Sequence, residues 1–111
     1  MSSRQAGPRI RVKFWFEDPR GRAFFGEGTA RLLTAIEKCK SISLACKEIG
    51  MSYRYALHRI AIAEERSGEK LVDRYRGGRT KGGASLTEEG RLFLGRYVDA
   101  KRVLEELATS I

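Results

Sequence analysis

Histidine and cysteine are nearly missing from this chain. There is one histidine, His58, and there are two cysteines, Cys39 and Cys46. So few, so far apart, they lack the number and spacing a zinc site needs. The opening MSSRQAGPRIRVKF has no apolar core of a signal peptide, so the two cysteines do not read as a structural disulfide. Cys46 fits instead as a small buried residue. No apolar run approaches the ~20 residues that cross a bilayer, which points to a cytoplasmic chain with no membrane partner. Paired carboxylates and a nucleophile beside a base are also missing. The glycines of GEGT at 26–29 match neither a dinucleotide fingerprint nor a P-loop. An enzyme is therefore not expected, and no cofactor or metal is implied.

Negative charge is scarce relative to positive. The 111 residues carry 22 Lys and Arg against 14 Asp and Glu, a formal charge of +8. Such an excess favours a polyanionic partner, because phosphate neutralisation dominates nucleic-acid affinity. Its distribution is uneven. Arg4, Arg9, Arg11 and Lys13 crowd the N-terminus, and Arg74, Arg76, Arg79 and Lys81 crowd one glycine-rich stretch. The length is that of one domain with a modest core.

The organising stretch is SISLACKEIGMSYRYALHRI, residues 41–60. It reads as two helices across a tight turn, the first capped by Ser43 with Ile42 as a staple, and stopped by Gly50. Ser52 caps the second helix, which is expected to continue to about residue 66. A steep helix pair across a glycine turn is the helix-turn-helix pattern, with the second helix in the DNA major groove. Ser52, Tyr53, Arg54, Tyr55, His58 and Arg59 then form the candidate recognition surface. Arginines suit guanine edges or phosphates, and tyrosines suit phosphates or thymine methyls.

Around this core the remaining segments follow in order. Residues 1–9 read as a disordered arm. Ile10, Val12, Phe14 and Phe16 alternate with Arg11, Lys13 and Trp15, so 10–26 is expected to be a β-hairpin turning at Asp18-Pro19-Arg20-Gly21. Trp15 is expected to pack rather than stack on bases. Leu32, Leu33 and Ile36 mark a helix over about 29–39, and the helical core spans 29–66. Residues 70–86, with RGGRTKGGAS between apolar ends, read as a β wing whose Arg74, Arg76, Arg79 and Lys81 reach DNA. A last helix over 87–111, capped by Ser85 or Thr87, carries Phe93, Tyr97, Ala100, Leu104 and Leu107 at coiled-coil-like steps. That seam is assigned to a homodimer, since operator readers commonly pair across a two-fold axis.

The fold class is thus mainly α with β-hairpins, a winged helix-turn-helix. The pieces SIS (41–43), GMSYRYA (50–56), KLVDR (70–74), the run GG…GGASLTEEG (77–90) and the earlier GEGTARLL (26–33) together resemble the winged helix of LysR-type regulators. They resemble more closely the DNA-binding part of the molybdate-responsive regulator family, ModE. The resemblance, over about residues 10–107, implies that Ser52, Tyr53, Arg54, Tyr55 and Arg59 approach the major groove, that Arg76, Arg79 and Lys81 belong to the wing, and that the last helix dimerises. Leu57 stands where that family often has a bulky aromatic. The sequence ends at Ile111 with no room for the family's molybdate-binding region, so oxyanion sensing is expected to be lost, delegated or replaced. No effector is identified. The expected function is a dimeric, sequence-specific transcription regulator on double-stranded DNA. The alternatives are a non-specific architectural or RNA-binding protein, and a winged-helix protein-interaction module.

Overall fold

The structure, a computed structural model, describes residues 7–76 and 82–111. Among them the order is β1 (Phe16–Glu17), β2 (Ala23–Phe25), α1 (Glu27–Cys39), α2 (Ile42–Ile49), α3 (Tyr53–Ser67), β3 (Val72–Tyr75), β4 (Gly83–Leu86) and α4 (Glu88–Ser110). Four helices with two small antiparallel hairpins make a winged helix-turn-helix.

α1 is the core helix. Its stripe of Leu32, Leu33 and Ile36 is fully buried, together with Thr29. Each such aliphatic side chain contributes about 1.5–3 kcal/mol by leaving water. The helix stops at Lys40, which takes a left-handed conformation with φ 57° and donates its N–H to the Ile36 carbonyl. α2 follows at once, and Ser41 rather than Ser43 caps it, its Oγ accepting from the Leu44 amide at 3.1 Å. Ser43 instead lies in the first turn, its hydroxyl 3.2 Å from that of Ser41. Gly50, at φ 72°, ends α2 in the left-handed geometry expected of it. Ser52 caps α3 as read from the sequence, accepting from the Tyr55 amide at 3.1 Å. Ala56, Ile60 and Ala63 form the buried stripe of α3, while Ala61 faces out.

The first hairpin is shorter than the alternation suggested. Only Phe16 and Glu17 pair with β2; residues 7–15 form no strand. Phe14 and Phe16 pack on the core, but Ile10 and Val12 stay exposed. The register shifts between Phe16 and Glu17, pairing Phe16 with Phe25 and Glu17 with Ala23. The skipped Phe24 makes a bulge, and that bulge lets the consecutive Phe24 and Phe25 both be buried. Trp15 departs from its expected packing role: it is 52% exposed, and its indole donates to Glu17 at 2.9 Å. The turn is as read. Asp18 Oδ1 accepts from the Arg20 and Arg22 amides, both at 2.9 Å, and Oδ2 from Arg22 Nε at 2.7 Å.

α4 begins at Thr87, whose Oγ1 accepts from the Gly90 amide at 2.9 Å; Ser85 lies in β4. Gly90 is required there by close packing, because a Cβ at this position would overlap the Leu71 carbonyl. Further along, Phe93 and Tyr97 complete an aromatic cluster with the hairpin. Phe14 stacks on Tyr97 at 4.5 Å between centroids, Phe16 lies 5.5 Å from Phe25, and Phe24 meets Phe93 edge-on at 5.9 Å. Such pairs add roughly 0.5–1.5 kcal/mol each beyond area burial. Among the described residues no helix is long and apolar enough to cross a membrane.

Candidate nucleic-acid interface

Three elements converge on one open cleft of about 530 Å³. Ser41 and Ser43 at the start of α2 form one wall, Tyr53 at the start of α3 a second, and Arg74 and Arg76 of the wing a third. The sequence places them by simple means. Ser41 starts α2, Gly50 turns the chain, and Ser52 starts α3 beside it. The wing then returns antiparallel in unbroken register from Val72↔Leu86 to Tyr75↔Gly83. Arg74 Nη2 lies 3.3 Å from the Tyr53 hydroxyl and donates to it, so the head of α3 and the wing are in contact.

The chemistry of this cleft is that of an anion site. Guanidinium groups and a hydroxyl line it, and the amides at the head of a helix favour negative charge. Beside it, Ser52, Tyr53, Arg54, Tyr55 and His58 are all exposed on α3. Arg54 and His58, four residues apart, share the face opposite Ala56, Ile60 and Ala63. The described wing cations Arg74 and Arg76 are exposed as well. Arg79 and Lys81 lie outside the described residues.

Arg59 differs from the expectation. It is half-buried, and its Nη2 donates to the buried Thr29 Oγ1 at 3.2 Å. Helical spacing puts it on the flank towards α1, so it braces α3 instead of presenting a cation to a groove. On the opposite flank Glu64 Oε2 accepts from the amides of Leu71 and Val72 at 2.9 and 3.1 Å, fixing the wing to α3. Arg66, in the last turn, donates to the Ala23 carbonyl at 2.7 Å. Neither Glu64 nor Arg66 is singled out by periodicity. Both are charged residues on a helix that otherwise shows a solvated face, and only the tertiary fold gives them partners.

The expected dimer seam divides in two. Tyr97 is buried and Phe93 half-buried within the chain's own aromatic cluster, because the first hairpin covers them. These two are therefore core residues. Ala100 and Leu104 are half-buried, while Leu107 is exposed together with Val98, Val103 and Ile111. Burial also raises the Tyr97 phenol above its ordinary range, with Glu27 and Glu105 adding to the shift.

Comparison with known proteins bears on this surface directly. The family described as bacterial regulatory helix-turn-helix protein, lysR family, matches residues 29–91, which holds α1 from Thr29 on, α2, α3, both wing strands and the first turn of α4. The chain is 42% identical over 67 residues to the molybdenum transport protein ModE of Azotobacter vinelandii, covering 60% of this chain and 25% of that protein. It is 33% identical over 72 residues to the molybdenum-pterin-binding protein MopA of Rhodobacter capsulatus, covering 65% of this chain and 27% of that protein. The chain thus spans about a quarter of the length of the curated relatives it matches.

Proposed function

Since the chain belongs to the lysR family of bacterial regulatory helix-turn-helix proteins, we propose that it is a DNA-binding transcription regulator that reads a specific, two-fold symmetric operator as a homodimer in the cytoplasm. In this reading Tyr53, Arg54, Tyr55 and His58 enter the major groove with Ser52 at its edge. Arg74 and Arg76, joined by Arg79 and Lys81, hold phosphates or the adjacent minor groove. Ala100, Leu104 and Leu107 meet the partner helix.

One observation carries the proposal: the cleft in which the heads of two helices and the wing's arginines meet beside an exposed face of α3. A backbone phosphate seated there sets the register, and the α3 side chains then reach base edges. The exposed apolar positions Val103, Leu107 and Ile111 support pairing through α4. The molybdenum in the relatives' names belongs to those proteins.

Genomic footprinting followed by competition binding tests the proposal. The expected result is a symmetric footprint and a specific complex that outcompetes random duplex by about 10³-fold or more. Arg54→Ala should cost about 1–3 kcal/mol on the operator and relax preference at one position per half-site. Equal affinity for operator and random duplex at every salt concentration would overturn it.

A further inference from the structure

The first hairpin lies ahead of the family match at residues 29–91 and takes no part in the cleft. It nevertheless touches both the last turn of α3 and the first half of α4. Through Phe16, Phe24 and Phe25 it packs on Phe93 and Tyr97 of α4. Through the Ala23 carbonyl it accepts the Arg66 guanidinium from the last turn of α3. The bulge at Phe24 is what breaks the ladder beside Ala23.

We propose that the hairpin is a brace that fixes the angle between α3 and α4, with Arg66 as its positioning residue. α3 is held on two flanks. Glu64 binds the wing on one, and Arg59 and Arg66 bind α1 and the hairpin on the other. Of these tethers Arg66→Ala23 is the one made to the hairpin, whose phenylalanines cover Phe93 and Tyr97; α1 and the wing also lie against α4, through Glu37–Arg91 at 3.1 Å and the Thr87 amide on the Leu71 carbonyl at 2.9 Å. A charged donor at 2.7 Å from a carbonyl makes it a short, charge-assisted bond at the surface. Leverage makes it matter. Arg66 stands 12 residues beyond Arg54, so the reading end is roughly 18 Å away. A pivot of about 10° at the anchor moves that end by about 3 Å, close to one nucleotide step along a strand. If α4 pairs two copies, as the proposed dimer requires, the brace sets the distance between the half-sites read. That last step rests on the dimeric reading; the brace itself does not.

Amide residual dipolar couplings of the full chain test the brace without DNA. Arg66→Met keeps the aliphatic stem and removes the donors, and Arg66→Lys restores a charged donor. In the wild type, α3 and α4 should fit one alignment tensor with equal order. In Arg66→Met the order of α3 should fall by about a third relative to α4, and Arg66→Lys should recover most of it. A second readout selects duplexes carrying two half-sites at variable spacing. The wild type should favour one spacing by about tenfold over its neighbours, and Arg66→Met by only about two- to threefold with the half-site sequence unchanged. Equal order of both helices in Arg66→Met, or loss in Arg66→Met not recovered in Arg66→Lys, overturns the brace. A wild type indifferent to paired half-sites overturns the dimeric reading instead, and the couplings still decide the brace.

Discussion

The two hairpins have the same two-stranded plan and opposite construction. The first closes within a few residues, and Asp18 fills its turn by accepting from two backbone amides and one guanidinium. Its strands are phenylalanine-rich, bulged and packed against α4. The second has regular register, exposed Asp73, Arg74 and Tyr75, and a burial that fades from Val72 outwards. A hairpin anchored by its side chains holds other elements in place. The second is held by hydrogen bonds instead, from Glu64 and Thr87 at its base and from Lys40 and Tyr53 further out, and leaves the outer face of β3 exposed.

Substitutions can break this contrast. The largest effect is expected in the first hairpin: Phe25→Ala removes a fully buried ring and should cost about 3–5 kcal/mol, read from chemical denaturation. Next is the base of the second hairpin. Gly90→Ala forces a methyl into the Leu71 carbonyl and should cost about 1–3 kcal/mol, displacing α4 from the wing. A smaller and pH-dependent effect belongs to Asp18. The Arg22 amide, together with the Arg22 side chain and the Arg20 amide, holds its carboxyl below the ordinary range. A depressed carboxylate stabilises the fold above its unfolded pKa of about 4, and that contribution is lost as pH falls through the folded value. Melting temperatures should therefore drop in acid for the wild type and drop less for Asp18→Asn, which should already be destabilised at neutral pH. Smallest on stability is Arg76→Ala, within about 0.5 kcal/mol. It should nevertheless weaken binding to all duplexes alike and reduce the salt slope by about one. An Arg76→Ala protein with unaltered salt dependence would show that the second hairpin does not reach DNA.

The same contrast explains what the sequence revealed. Punctuation was legible: the Asp-Pro-Arg-Gly turn, Gly50, Ser52 and the wing strands all stand where local chemistry put them, because each is decided within a few residues. Ser41 and Ser43 were not separable, since each can offer a hydroxyl to an amide, and the choice is made by where Lys40 ends α1. Alternation over residues 10–16 recorded which side faces inwards only as far as Phe14 and Phe16. A β2 of three residues leaves the rest without a partner. Phe93 and Tyr97 show the limit of a heptad-like pattern, which marks a face to be covered without saying whether the cover is the same chain or another. Arg59 read as a recognition-helix cation and Arg66 only as the end of that helix, because their acceptors lie 30 and 43 residues away in sequence.

Lys40 joins the core helix to the recognition unit by a single left-handed residue, and its carbonyl also receives the Ala84 amide of β4 at 3.0 Å. Side-chain identity is a minor matter at such an elbow, where asparagine or glycine would serve as well. Chain length is not. One inserted residue would rotate α2 out of phase with the strand that Lys40 meets, pulling the serine wall of the cleft away from its arginines while leaving every side chain of the cleft in the protein.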